Sequence, residues 1–254
     1  MAESGPIEIF DDFEHFLERH ASPFFKAVDT GGQSAELPVV MLKRACDFAR
    51  ETLRAIKTHL REGHGPFLAC NLCRPLYELA FRLLWAARED YGWDRLRVWL
   101  ADEDMKWAKD ARLIKEFEEH AKQLVEPSKA ILSLTDGHKR PIRKPPSLKG
   151  MLKQIEQHDG REHLPSTRVG QADFEYVAIY RILCRPAHAH IGAISGLHGE
   201  AFLPILVFGS GNATFALARA MIHLGAKEPE KEIEALAREM VNAFSKFTRS
   251  LQLA

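Results

Sequence analysis

The chain has 254 residues, enough for one large domain or two small ones. Hydrophobic residues make up 46% of it, which suffices for a substantial core. Lys plus Arg number 35 and Asp plus Glu number 35, so the formal charge is zero. That balance excludes a generally basic nucleic-acid-binding surface and leaves only local patches open.

The opening "MAESGPIEIFDDFEHF" is acidic and no apolar run follows it, so it does not read as a secretory leader. The longest apolar run is close to "AFLPILVF", far short of the roughly 20 residues that span a bilayer. We therefore expect a cytoplasmic protein without membrane association. Its four cysteines, Cys46, Cys70, Cys73 and Cys184, are expected as thiols.

In chain order, Phe10, Phe13, Leu17, Phe24 and Val28 form a helical stripe. "DTGGQS" is a turn cluster. A second helix opens near Pro38 and carries Val39, Leu42, Ala45, Ala49, Leu53, Ile56 and Leu60 on one side. "GPFLACNLCRPLYELAFRLLWAARED" is a third helix, mostly apolar and so central, with a kink expected at Pro75. From Trp93 one long helix is expected through "HAKQL", and Glu126-Pro127 restarts the chain. Residues 136–147, "DGHKRPIRKPPS", hold three prolines and four Lys or Arg. They read as a basic loop, either a solvated connection or an anion-binding element.

"LKGMLKQIEQHD" is a short amphipathic helix, and "GREHLPSTRVG" a loop. A helix then begins near Gln171. "LHGEAFLPILVFGSGN" is ambiguous between strand and buried turn, and Asn212 reads as the N-cap of "ATFALARAMIHLGA". "EKEIEALAREMVNAFSKFTRSLQL" closes the chain as a helix. The expected fold is all-α: a single domain over 1–254, packed as a compact bundle of about seven or eight helices.

Two stretches carry chemistry. In "YRILCRPAHAHIGAI", Val177, Cys184, His188 and Ile191 fall within about 80° of Tyr180 on a helical wheel. Tyr180 and His188 are therefore expected to face the core or a cleft in it. Arg185 can meet His188, whereas His190 diverges from Arg185 by about 140° unless Pro186 breaks the helix. One reading makes these groups satisfied buried polar side chains. The other makes a histidine proton-transfer site with an arginine holding phosphate.

In "NLCRPLYELAFR", Arg74, Glu78 and Arg82 share one face of the apolar third helix. Buried charges need partners, so these three form an ion ladder, or Glu78 or Arg74 faces His188 across a cleft. Cys70-x-x-Cys73 lacks the further ligands of a zinc site, so neither a metal nor a cofactor is expected.

"CRPLYELAFRLLW" and "YVAIYRILCRPAHAHIG" together resemble a widespread bacterial helical family known only as a domain of unknown function. Its pattern is an Arg-x-x-x-Glu helix, then a helix with Tyr, a small residue and His. Arg74, Glu78, Tyr180 and His188 match, and Cys184 stands where serine is usual. The resemblance implies an all-α fold and an Arg/Glu/Tyr/His cleft, without an activity. Arg185 and His190, with four residues between them, also resemble the Arg-to-His spacing of HEPN ribonucleases of bacterial stress and phage defence. That resemblance implies a dimer, RNA as substrate, His190 as general acid or base, and Arg185 stabilising the phosphorane, without a metal.

The expected function is accordingly ligand or protein-partner binding in a polar cleft. Metal-independent RNA cleavage by Arg185, His188 and His190 is the alternative. Arg74, Glu78, Arg82, Tyr180 and Cys184 are the candidate ligand-binding residues.

Overall fold

The computed structural model describes residues 7–30, 36–158, 171–187, 202–227 and 230–252. They form nine helices: α1 (Ile9–Thr30), α2 (Leu37–Arg61), α3 (Pro66–Arg88), α4 (Gly92–Ala111), α5 (Glu118–Leu132), α6 (Leu148–His158), α7 (171–187), α8 (Phe202–His223) and α9 (Glu230–Gln252). Among the described residues there is no strand; one isolated bridge joins Thr135 to Pro141.

The expected helices appear where apolar periodicity is strong. All five stripe residues of α1 are buried, as are six of the seven in α2, Leu60 being partly buried. Prolines start α2 and α3, at positions where a missing N–H costs nothing. Pro75 lies inside a continuous α3. That helix is the hub, packing against α2, α4, α6, α7 and α8. Trp85, Tyr77 and Leu76 on it are fully buried.

The single helix expected from Trp93 onward is corrected to two. A short 3-10 turn, Lys115–Phe117, separates α4 from α5, which fold back on each other as a hairpin around Ala108, Ala111, Ala121 and Val125. Pro127 sits inside α5 and restarts nothing. The turn into α4 is tight. Tyr91 adopts a left-handed φ of 55°, and a Cβ on Gly92 would lie 2.7 Å from the Ala86 Cα.

The segment read as strand or turn before Asn212 is helix, and Asn212 caps nothing. Phe202–His223 is continuous. Gly209 and Gly211 are there for close approach. A Cβ on Gly209 would sit 3.0 Å from Leu183 Cδ1 and 3.1 Å from Cys73 Sγ; one on Gly211 would sit 2.9 Å from Phe13 Cζ. This corrects the apolar-run estimate as well. By length and composition α8 alone among the described helices is long and apolar enough to cross a membrane, yet 72% of that window is buried inside the bundle. A helix apolar all round belongs at the centre of a core.

The basic loop is tied down. Asp136 accepts the backbone N–H groups of His138 and Arg140 and pairs with the Arg140 guanidinium. Lys144 pairs with Asp102 on α4 at 2.6 Å, and Arg95 donates to the carbonyls of Arg143 and Lys144. Of its four Lys and Arg, Lys144 is thus spent on holding the loop to the hairpin and Arg140 on closing the loop on itself.

Candidate functional site

The ladder on α3 forms as its spacing requires. Residues four apart share a helix face. Arg74 Nε donates to Glu78 Oε1 at 3.0 Å, and Arg82 lies 3.9 Å from Glu78 Oε2. The Arg82 guanidinium stacks over Trp99 of α4, 4.2 Å from the ring centroid. All three ladder residues are partly exposed.

Helix α7 closes the other side of this seam. Tyr180 donates to Glu78 Oε1 at 2.9 Å. Cys184, one turn on, shares a hydrogen bond with Tyr180 and feels Arg74 and Arg181 electrostatically. The structure therefore brings Arg74, Glu78, Arg82, Tyr180 and Cys184 together. His188 and His190 lie outside the described residues, as does the side chain of Arg185. The helical backbone continues through Pro186 to Ala187.

Two features of α7 differ from expectation. Its buried stripe is Ala172, Glu175, Ile179 and Leu183, so its axis runs one residue before Tyr180. Val177, expected to face inward, is 52% exposed. Tyr180 and Cys184 consequently flank the core and stay half-buried. Moreover, Glu175–Tyr180 is a π-helix. In an α-helix, residues 175 and 180 would diverge by about 140°. A π turn repeats at i→i+5, which sets both on the side facing α3.

That geometry produces a reciprocal exchange. Tyr180 of α7 bonds Glu78 of α3, while Tyr77 of α3 bonds Glu175 of α7 at 2.6 Å. The rings of Tyr77 and Tyr180 stack, with centroids 6.2 Å apart, and Tyr176 stacks on Tyr180 at 5.4 Å. Asn212 of α8 donates to Glu175 Oε2 at 3.2 Å. Tyr77 and Glu175 were not singled out from the sequence, and Asn212 was read only as a helix cap. The available signal was a lone carboxylate in "FEYVAIY" and a tyrosine beside Glu78.

The phenol and the thiol of the seam are held protonated. Burial, then the Glu78 carboxylate, pushes the Tyr180 phenol well above its usual range. Burial raises the Cys184 thiol too, although its bond with Tyr180 and nearby Arg74 oppose this. In the core, burial pushes Cys73 up to about 12 and raises Cys70 further. Thiols held protonated in this way are poor nucleophiles. Among the described residues no group of three or more His, Cys, Asp and Glu is placed to hold a metal.

Comparison with protein-family models, curated proteins and solved structures returns no match. The two resemblances accordingly rest on their motif residues alone.

Proposed function

We propose that the protein is a binding protein and that the seam between α3 and α7 receives an anionic group. One observation carries the reading. Arg74 spends Nε on Glu78, while its terminal nitrogens have no hydrogen-bond partner among the described residues. They remain partly exposed beside Tyr180 and Cys184. A guanidinium oriented by a carboxylate through one edge presents its other donors in a fixed fork, the geometry that phosphate and carboxylate groups match. Arg74, Arg82 and Arg181 outnumber Glu78, so the local field favours an anion. Binding is preferred to catalysis because the seam's phenol and thiol are held as the neutral acids.

Thermal unfolding with pyrophosphate and adenosine monophosphate as probes tests this. The wild type should gain about 2–4 °C when the probe exceeds its Kd about fivefold. Arg74→Ala should lose the gain while folding normally, since Glu78 keeps Tyr180 and Arg82. No gain with either probe, or an equal gain in Arg74→Ala, refutes the reading. Cleavage of single-stranded RNA that disappears in His190→Ala or His188→Ala would replace it with the nuclease alternative.

A further inference from the structure

The α4–α5 hairpin carries apolar side chains that the rest of the described chain leaves uncovered. Leu100 and Trp107 lie seven residues apart on α4 and so share a face. Leu113 and Ile114 follow in the turn, and Phe117 ends it. Leu113 is 86% exposed, and the other four are between 41% and 48% exposed. The aromatic groups cluster, with the Trp107 ring 6.1 Å from that of Phe117 and 5.4 Å from that of His120.

Beneath this surface the hairpin has little core of its own. Helix α5 packs mainly on α4, around Ala108, Ala111, Ala121 and Val125, a cluster separate from the main core. Such small side chains let the two helices approach closely but bury little apolar area, and buried area is what stabilises a layer. A helix pair gains stability when a second layer of helices covers its apolar face.

We propose that a second copy of this chain supplies that layer, hairpin against hairpin, in a two-fold four-helix arrangement centred on Trp107. The charges point to a copy. Lys109, Arg112 and Lys115 surround the tip together with Asp110, Glu116 and Glu119, all exposed. Lys106 pairs with Glu103, and Lys122 with Glu118. Cations and carboxylates are balanced, so the surface meets itself without net repulsion, as a two-fold interface requires. The whole chain has zero formal charge, so no long-range repulsion keeps two copies apart. An anionic bilayer would instead meet three carboxylates at the tip.

The extent of the surface fits the same partner. At these exposures the five side chains present on the order of 500 Å², over half of the roughly 800 Å² per partner of a standard interface. The flanking charged side chains extend it. Tryptophan is also among the residue types that most often anchor the centre of an interface.

Sedimentation velocity of the full chain from about 1 to 100 µM tests the proposal, over the affinities that an interface of modest size reaches. The wild type should move from monomer toward dimer as concentration rises. Leu113→Glu should raise the dimer dissociation constant about tenfold or more, and its exposed position leaves the fold intact. Trp107→Ala should do the same. Leu68→Glu, at an exposed apolar position on α3 outside this surface, should leave the dimer unchanged. A monomer at every concentration, an oligomer of another order, a dimer undiminished in Leu113→Glu and Trp107→Ala, or equal weakening by Leu68→Glu overturns the proposal. So does a chain that stays monomeric yet cosediments with phosphatidylserine vesicles unless Leu113 is replaced, which would assign the tip to a membrane surface.

Discussion

Tyr77→Phe removes one oxygen from the middle of the bundle and little else. The ring keeps its place, because Tyr77 is fully buried and packed against Phe81 and Tyr180. The lost group is a phenol donating to Glu175 at 2.6 Å. A hydrogen bond to a charged acceptor contributes about 1.5–3 kcal/mol net, and a neutral one about half of that. Glu175 is only 8% exposed, so water cannot fully replace the phenol, although Asn212 still donates. We expect a loss of about 2 kcal/mol. For a chain of this size that lowers Tm by roughly 4–8 °C. Urea unfolding followed by circular dichroism measures it directly, with an unchanged m-value as the sign that only stability moved. Combining Tyr77→Phe with Glu175→Gln should cost less than the two singles summed. A single-variant loss below about 0.5 kcal/mol, or an additive double variant, refutes the account of this bond.

Gly92→Ala should destabilise by about 2 kcal/mol despite alanine's better helix propensity, because its Cβ meets the Ala86 backbone, which cannot move aside as a side chain can; thermal unfolding reads this. Thiol titration of the native protein should find at most one reactive group, Cys184, and that slowly, with all four reacting in denaturant. The Lys144 and Lys106 ammonium groups hold the Asp102 carboxyl below its usual range. A depressed carboxyl stabilises the fold above the unfolded pKa near 4 and loses that contribution as pH falls through the folded value. Tm should therefore fall more steeply below about pH 4 in wild type than in Asp102→Asn. Buried Cys46 and Cys73, pushed up to about 12, act at the other end: their contribution is complete below the unfolded thiol pKa and lost as pH rises toward 12. Thermal unfolding in Cys46→Ala should show a shallower alkaline decline.

Most of the bundle was legible because its apolar period is strong and prolines mark the starts of α2 and α3. Residues such as Phe13, Leu42 and Leu53 repeat at helical spacing and end in the core. The Arg74–Glu78–Arg82 ladder was legible for the same reason, since four-residue spacing fixes a shared face. Three things were hidden. The break between α4 and α5 falls in "ARLIKEF", which holds no glycine or proline to announce a turn. Continuity of α8 was masked by "GSGN", where glycines serve interhelical approach and not a bend. The π turn has no local signature, yet it decides which residues of α7 meet α3. Tyr180 was identified through its motif, and Glu175 escaped because a wheel at 100° per residue sends it elsewhere.

The π turn also makes one mechanical unit of two places. Glu175 stands at its first residue and Tyr180 at its last, each anchored to neighbouring residues of α3. A change in the pitch of this turn cannot alter one anchor and spare the other. Any occupant that favours one pitch therefore changes the free energy at both ends. By linkage that effect is reciprocal, and the factor by which an occupant of one end alters affinity at the other is the same in both directions.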